Sequence, residues 1–349
     1  MDRFDRSYGA LLGLAYGDAI GFPALFHRTQ QFHERRREFV WHTNLESDRR
    51  RIVRMTLPFT HRTEAQTLEP FPTDDTEYAL FTAQTLLSAE DIDAETFERA
   101  WRDRILPIAD RVLTGFSERA ALDNLRHGLH PPVTGSDNPQ HYDDSAAPRS
   151  VAIGLHCAGE VERATRFALL DAQVTNAEDG VYAAQAMAVA VSSLAGGSDL
   201  GEALTAARRS FPADSWIAYG DARASACRDA ASDAQHLQLL LTTRLINTVY
   251  SYGNAAPETV PAAFAIAETC RGDLRDGVLL ANGIPKAADS LPALVGALCG
   301  AYQGAGAINA AWQKQLDASR GLCLPFLKGV RIEDVARALA GAKRGVLEG

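Results

Sequence analysis

The sequence predicts an all-α fold, a single compact domain made of many helices. From Arg149 onward almost every segment is rich in alanine and has apolar residues at helical spacing. No stretch alternates β-branched and polar residues over the length of a strand. No repeat of fixed period and no low-complexity linker divides the chain, so we expect residues 1–349 to form one domain.

The first predicted helix, at residues 8–20, has one smooth face. Gly9, Gly13 and Gly17 recur at every fourth position, with bulky apolar residues between them. Small residues at this spacing let a helix pack closely against a neighbour, whereas glycine on an exposed helix face would only reduce stability. Asp18 stands at the end of this face, where it is either a helix cap or a carboxylate that faces a ligand.

Two long stretches lack helical periodicity and are predicted to be surface loops, at about residues 28–72 and 129–148. The first contains the arginine triplets 35–37 and 49–51. Their guanidinium groups could bind phosphates, although a solvated loop is the simpler interpretation. The second loop contains several prolines and the pair Asp143-Asp144.

Between these loops lies the segment of the chain that is richest in side-chain oxygens, Thr73-Asp74-Asp75-Thr76-Glu77. Adjacent carboxylates and hydroxyls are the hard oxygen donors that Mg²⁺, Mn²⁺ or Ca²⁺ prefers. The same residue types also begin ordinary helices, and apolar residues at helical spacing follow at 77–87 and again at 96–112. Taken alone, the segment is therefore either a cation site or a helix cap.

Two later helices that are rich in small residues also begin with polar and acidic side chains. Glu178 and Asp179 precede one of them, where they could contact a substrate or favour the helix N-terminus. Asp289 and Ser290 precede the other, where a cap is again an ordinary interpretation. Three smooth helices with carboxylates at one end nevertheless indicate a shared central site.

Charge and cysteine content limit the class of function. The chain has 35 Lys and Arg against 44 Asp and Glu, a net charge of −9, which disfavours binding to nucleic acid or anionic membranes. The five cysteines include no C-x-x-C pair, so neither a zinc site nor a disulfide framework is indicated. With no signal-peptide pattern and no transmembrane segment predicted, we expect a cytoplasmic protein that acts on a small molecule. The sequence leaves its oligomeric state open.

Several of these motifs resemble those of the ADP-ribosylglycohydrolase family, the group that includes dinitrogenase-reductase-activating glycohydrolase. The likeness is carried by residues 9–13, 17–23 and 73–77, by Arg149 and by residues 296–302. It extends from near residue 6 to about residue 312. The resemblance implies an all-α fold whose cleft binds one or two Mg²⁺ ions. It also implies hydrolysis of the bond between C1 of ADP-ribose and a nitrogen or oxygen.

The resemblance also implies roles for individual residues. Thr73, Asp74 and Asp75 match the first metal-binding segment of the family, and Asp289 with Ser290 matches the end of the second. The residues expected to bind substrate are Arg149, Asn176 and Lys286, and the candidate catalytic carboxylates are Asp18, Asp75, Glu178 and Asp179. Asn176 replaces a histidine of many relatives, and its amide can hydrogen-bond but cannot titrate near neutral pH.

This sequence departs from the family pattern at two further positions. Ala287 replaces a metal-binding carboxylate, so we expect one Mg²⁺ or Mn²⁺ ion, and the adjacent Lys286 is either a surface residue or a substitute for the second cation. Leu25 replaces a carboxylate often assigned to water activation. We therefore expect a metal-dependent hydrolase that acts at ribose C1 of an ADP-ribosylated or related nucleotide. A catalytically impaired binding protein and a glycosidase of smaller nucleosides are the alternatives.

Overall fold

The computed structural model describes residues 1–24, 49, 70–246, 254–284 and 286–341. Within these ranges all regular structure is helical, and the only β-type pairing consists of two isolated backbone bridges, Asp143 with Ala255 and Ala318 with Arg331. The predicted all-α fold is therefore confirmed.

The α-helices of the described part are numbered in chain order. The first eight are α1 (Arg3–Ala24), α2 (Asp74–Ser88), α3 (Ala94–Ala100), α4 (Phe116–Arg126), α5 (Val133–Ser136), α6 (Ala146–His156), α7 (Val161–Ala172) and α8 (Asp179–Gly196). The others are α9 (Leu200–Arg208), α10 (Trp216–Ala230), α11 (Ala234–Leu240), α12 (Ala256–Thr269), α13 (Leu274–Asn282), α14 (Leu291–Gln303), α15 (Ala310–Leu316) and α16 (Ile332–Gly341). Turns of π-helix extend α3 over Trp101–Ile105 and α11 over Leu241–Leu245.

Helices α1 and α14 touch through their glycines. A Cβ atom on Gly13 would lie 2.1 Å from the carbonyl oxygen of Gly296, and one on Gly17 would lie 1.9 Å from that of Pro292. Because no side chain fits between the two backbones, only glycine allows this approach. The predicted close packing of the smooth face is confirmed, and it brings the end of α1 against the turn that precedes α14.

The core lies among α1, α2, α6, α8, α12 and α14, whose buried apolar residues form one hydrophobic cluster. Apart from Asp179 at its start, α8 carries no charged residue, and it is buried along most of its length. Gly154 of α6 lies directly against the backbone of α8 at Ala188 and Ser192. These tightly packed helices hold the polar ends of α1, α2 and α14 in fixed relative positions.

Of the two predicted loops, the structure describes all of the second but only a small part of the first. Most of residues 28–72 lie outside the described ranges, together with most of the two arginine triplets. Residues 129–148 contain α5 and the first turn of α6, and they are otherwise turns. Across the described residues, no helix is both long and apolar enough to span a membrane.

Candidate active site

Asp18, near the end of α1, holds the start of α2 in place. Its Oδ2 accepts hydrogen bonds from the backbone amides of Thr73 at 2.7 Å and Thr76 at 3.1 Å and from the Thr76 hydroxyl at 2.6 Å. Its Oδ1 accepts the hydroxyl of Thr73. Burial raises the pKa of Asp18 to about 6, while these hydrogen bonds oppose the rise. Of its two interpretations Asp18 therefore fits the cap, supplied to α2 from another helix.

Glu77 anchors the other side of the same segment. The carboxylate is fully buried and accepts hydrogen bonds from the Ser319 hydroxyl at 2.8 Å and from the backbone amides of residues 322–324 at 2.8–2.9 Å. Asp18 and Glu77 thus satisfy backbone amides with their charges, which makes the first turn of α2 rigid. The other two carboxylates of this turn, Asp74 and Asp75, remain available for chemistry.

A small acidic cavity lies beside this turn. Its lining residues are Asp74, Asp75, Tyr78, Gly115, Glu118, Asp143, Asp144, Ser145, Asn254 and Ser290. Five of these are carboxylates, and among the described residues no Lys, Arg or His lines the cavity. The interior measures about 30 Å³, room for about one or two water-sized species. The interior therefore has room for an ion or water but not for a sugar ring.

Asp74 and Asp75 are crowded by other acids. Burial raises the pKa of both carboxyls well above the usual range. Burial is the largest cause; among the neighbouring charges, Asp289 contributes most to the rise at Asp74, and Asp74 contributes most to the rise at Asp75. A cation near these groups would favour their ionised forms and relieve the repulsion.

The turn before α14 brings further oxygen atoms to this region. The Asn254 amide donates a hydrogen bond to Asp289 Oδ2 at 2.8 Å, and the Ser290 hydroxyl donates one to Asp144 Oδ1 at 3.2 Å. Asp144 Oδ2 is buried, and no described residue hydrogen-bonds to it. Burial and the charge of Asp143 raise the pKa of Asp144 well above the usual range. The N-termini of α2 and α14 therefore meet at one site.

The carboxylate and hydroxyl oxygens at this site are suited to bind one hard cation. Within the described residues, no three carboxylate, imidazole or thiol groups converge closely enough to hold a metal ion by themselves. Mg²⁺, however, is commonly bound by only one or two carboxylates and keeps several water ligands. The Thr73 hydroxyl donates its proton to Asp18, which leaves its oxygen lone pairs as ligands beside Asp74. The residues present therefore fit a magnesium site that is completed by water or substrate oxygens.

Of the positions where this sequence departs from the family pattern, Lys286 and Ala287 contribute no side chain to the cavity. Ala287 is fully buried within the hydrophobic core, so no side-chain oxygen stands where the second metal ligand is expected. Lys286 is half-buried in the turn before α14 and does not line the cavity. Leu25 lies outside the described residues.

Arg149 and Asn176 lie behind the cavity wall. Arg149 is fully buried, donates a hydrogen bond to Asp171 at 2.9 Å, and places Nη1 3.8 Å from Glu118 Oε1. Asn176 is also fully buried, and its amide donates a hydrogen bond to Asp143 Oδ1 at 2.8 Å. Both side chains therefore position carboxylates that line the cavity, and neither exposes surface to a substrate in this structure.

Glu178 and Asp179 are not among the residues that line the cavity. Glu178 is exposed, with a φ of 48°, and lies 3.5 Å from the His141 ring. Asp179 accepts a hydrogen bond from the backbone amide of Ile217 at 2.8 Å, so it serves the first turn of α10. The N-terminus of α8 is therefore separate from the cavity that the N-termini of α2 and α14 share.

Some lining residues have no predicted role. The sequence carries a signal for Asp143, Asp144 and Ser145, because two acids and a hydroxyl repeat the pattern of residues 74–76. Glu118 has no such signal, since it stands within an ordinary amphipathic helix. Only the tertiary position of α4, where the Ser117 hydroxyl lies 2.9 Å from that of Ser145, places it at the cavity.

Comparisons with known proteins agree with this fold. The ADP-ribosylglycohydrolase family model matches residues 1–346. The uncharacterized protein YegU of Escherichia coli (strain K12) is 27% identical over 345 residues, which cover 90% of this chain and 93% of that protein. A solved structure described as an ADP-ribosylglycohydrolase-related protein complex has a TM-score of 0.60 at 23% identity and covers 98% of this chain and 99% of its own. The chain belongs to the ADP-ribosylglycohydrolase family.

Proposed function

We propose that this protein is a metal-dependent hydrolase that cleaves the glycosidic bond at ribose C1 of an ADP-ribosylated or related nucleotide. Its family supports glycohydrolase activity on substrates related to ADP-ribose. The observation that carries the proposal is the convergence of Asp74 and Asp75 with the Asp289-Ser290 turn beside one acidic cavity.

The residues that would hold one Mg²⁺ or Mn²⁺ ion are Thr73, Asp74, Asp75, Asp289 and Ser290. A bound ion supplies positive charge that can orient the two ribose hydroxyls. Asp18 and Glu77 keep the first turn of α2 fixed, so that its donors need little rearrangement when a ligand binds. Asn254 restrains Asp289 in the same way.

The acidic wall suits the charge that develops during the reaction. Cleavage at C1 passes through an oxocarbenium-like state, in which the sugar ring becomes positive. Carboxylates fixed around the cavity stabilise positive charge at its mouth more effectively than mobile water does. The interior of about 30 Å³ can also hold the water that the hydrolysis consumes.

Titration calorimetry with Mg²⁺ and Mn²⁺, with and without ADP-ribose, tests this function. The wild type, Asp74→Ala and Asp123→Ala are compared, because Asp123 is an exposed acid on α4 away from the cavity. We expect ion binding that requires Asp74, is unchanged in Asp123→Ala and tightens with ADP-ribose. A turnover screen of ADP-ribosyl-arginine, ADP-ribosyl-serine and nucleosides follows. Absence of ion binding in both conditions would reject the metal-dependent mechanism.

A second candidate function is a glycosidase of smaller nucleosides, and the charge of the cavity favours it. Five carboxylates line the cavity without a described basic side chain, so its lining offers no cationic partner to a pyrophosphate at the mouth. Turnover of nucleosides, without turnover of either ADP-ribosylated amino acid, would select this candidate. Tight binding of ADP-ribose with no turnover of any compound would instead select a non-catalytic binding protein.

A further inference from the structure

We infer that Asp144 is a further ligand of the cation, an inference that rests on the proposed function. Asp144 lies in the loop before α6, is only 1% exposed and lines the acidic cavity together with Asp74 and Asp75. It belongs to neither of the two segments that the resemblance assigns to the metal. The loop before α6 therefore becomes a third segment of the chain that supplies oxygen to the ion.

The two oxygens of the Asp144 carboxylate have different surroundings. The Ser290 hydroxyl donates a hydrogen bond to Oδ1 at 3.2 Å. Oδ2 is buried, and no described residue donates a hydrogen bond to it. The Thr259 hydroxyl interacts with Asp144, but it donates its own hydrogen bond to the Ala255 carbonyl oxygen at 3.2 Å. A buried carboxylate oxygen without a donor needs an ion or a water molecule as its partner.

Asp144 lies next to the other oxygen donors of the site. Ser290, whose hydroxyl contacts it, is one of the residues proposed to hold the ion. The charge of Asp144 acts on Asp75, and the charge of Asp289 acts on Asp144. Asp289 itself is not among the residues that line the cavity. Asp144 is therefore the lining carboxylate that contacts the turn before α14.

The adjacent acid, Asp143, serves the fold instead. Its Oδ1 accepts the Asn176 amide at 2.8 Å and the Ser145 backbone amide at 3.2 Å. Its backbone also pairs with that of Ala255 in an isolated bridge. Asp143 thus fixes the shape of the loop, whereas Asp144 keeps one oxygen for a ligand.

Backbone hydrogen bonds hold Asp144 in place independently of its side chain. Its amide donates to the carbonyl oxygen of Asn254 at 2.9 Å, and its carbonyl oxygen accepts the amide of Ala147 at 2.8 Å. Both bonds persist when the side chain is replaced. Asparagine at this position also keeps an oxygen that can accept the Ser290 hydroxyl. We therefore expect Asp144→Asn to fold.

Mn²⁺ titration followed by electron paramagnetic resonance tests the assignment without any substrate. Wild type and Asp144→Asn are compared with Glu118→Gln, which removes the same charge from another residue that lines the cavity. Asp144→Asn should raise the Kd for Mn²⁺ by about 100-fold, the upper end of the loss seen when residues that only support metal ligands are removed. Glu118→Gln should raise it at least about tenfold less, because it removes a charge but no ligand.

The number of water ligands separates direct binding from a general effect of charge. Water-proton relaxation counts the water molecules on protein-bound Mn²⁺. At saturating Mn²⁺, Asp144→Ala should add about one water, because solvent fills the position that the carboxylate leaves. Glu118→Gln should leave the count unchanged. Tm measured without Mn²⁺ shows whether each variant is folded.

The outcomes distinguish this assignment from the proposed function. If the wild type binds no Mn²⁺, the metal-dependent function and the role of Asp144 both fail. If the wild type binds Mn²⁺ and Asp144→Asn binds it no more weakly than Glu118→Gln does, Asp144 is not a ligand while the proposed function stands. An unchanged water count in Asp144→Ala has the same meaning. If Asp144→Asn does not fold, Asp144→Ala carries the affinity measurement as well, because it retains the backbone bonds to Asn254 and Ala147.

Discussion

Replacement of Gly13 by alanine should destabilise the protein by forcing α1 away from α14. The new Cβ would lie 2.1 Å from the Gly296 carbonyl oxygen, whereas real Cβ atoms essentially never approach within 3.0 Å of another heavy atom. The helices must therefore separate locally by at least 0.9 Å, the difference between these two distances. The oxygen belongs to the backbone, so no side-chain rotation can relieve the clash.

The size of the effect follows from two opposing terms. Overpacking of this kind costs about 3 kcal/mol, the upper part of the usual range, because backbone is the obstacle. Alanine regains about 1 kcal/mol through its better helix propensity, so the net loss in the free energy of unfolding is about 2 kcal/mol. For a chain of 349 residues, an unfolding entropy of about 2.1 cal/mol/K per residue converts this loss to a fall in Tm of about 3 °C.

Differential scanning calorimetry measures this fall, with Gly306→Ala as the matched control. A Cβ on Gly306 would meet no heavy atom within 4 Å, so its Tm should stay within about 1 °C of the wild type. Gly13→Ala should also weaken Mn²⁺ binding, because Asp18 on the same helix holds the start of α2. A Tm for Gly13→Ala at or above that of Gly306→Ala would refute the argument that the two backbones are in contact.

Two further predictions concern the site. Mg²⁺ should bind with release of protons and more tightly as the pH rises above the usual range of a carboxyl pKa, because the raised pKa values of Asp74 and Asp75 keep protons that the ion must displace. Calorimetry in two buffers of different ionisation enthalpy counts these protons, and an affinity independent of pH would contradict the prediction. Glu77→Gln should lower the free energy of unfolding by about 2–4 kcal/mol, because the new NH₂ group faces backbone amides that need an acceptor. Urea unfolding measures this loss against Glu95→Gln, a change at an exposed acid, and equal stability of the two variants would count against it.

The features of the site that could be predicted from the sequence are those that depend only on residues close together in the chain. Glycine at every fourth position predicts a smooth helix face whatever helix it meets, and the segment at residues 73–77 is rich in oxygen donors in any fold. The different roles of its acids, however, depend on hydrogen-bond partners that are distant in the chain. Asp18 binds amide donors 55 and 58 positions away, and Glu77 binds amides 245–247 positions away. No pattern within either segment predicts those partners.

The directions in which the polar side chains of the site point could not be predicted from the sequence either. The resemblance to the family predicts that Arg149 and Asn176 bind substrate. In the structure both side chains lie behind the wall of the cavity, where Arg149 contacts Glu118 and Asn176 contacts Asp143. Glu118 itself sits in an amphipathic helix and looks like any half-buried acid. Its location follows only from the tertiary position of α4, which packs against α5.

Hydrogen-bond saturation separates the acids of this site into two kinds. Asp18 and Glu77 accept backbone amides and so stabilise the start of α2 and the loop at residues 322–324. Asp74 and Asp75 are left crowded, with raised pKa values, because the fold brings their charges together without giving them comparable partners. That arrangement costs stability in the ion-free protein, and binding of a cation would offset the cost. These crowded carboxylates, rather than the most buried ones, are therefore the basis on which a cation site is proposed.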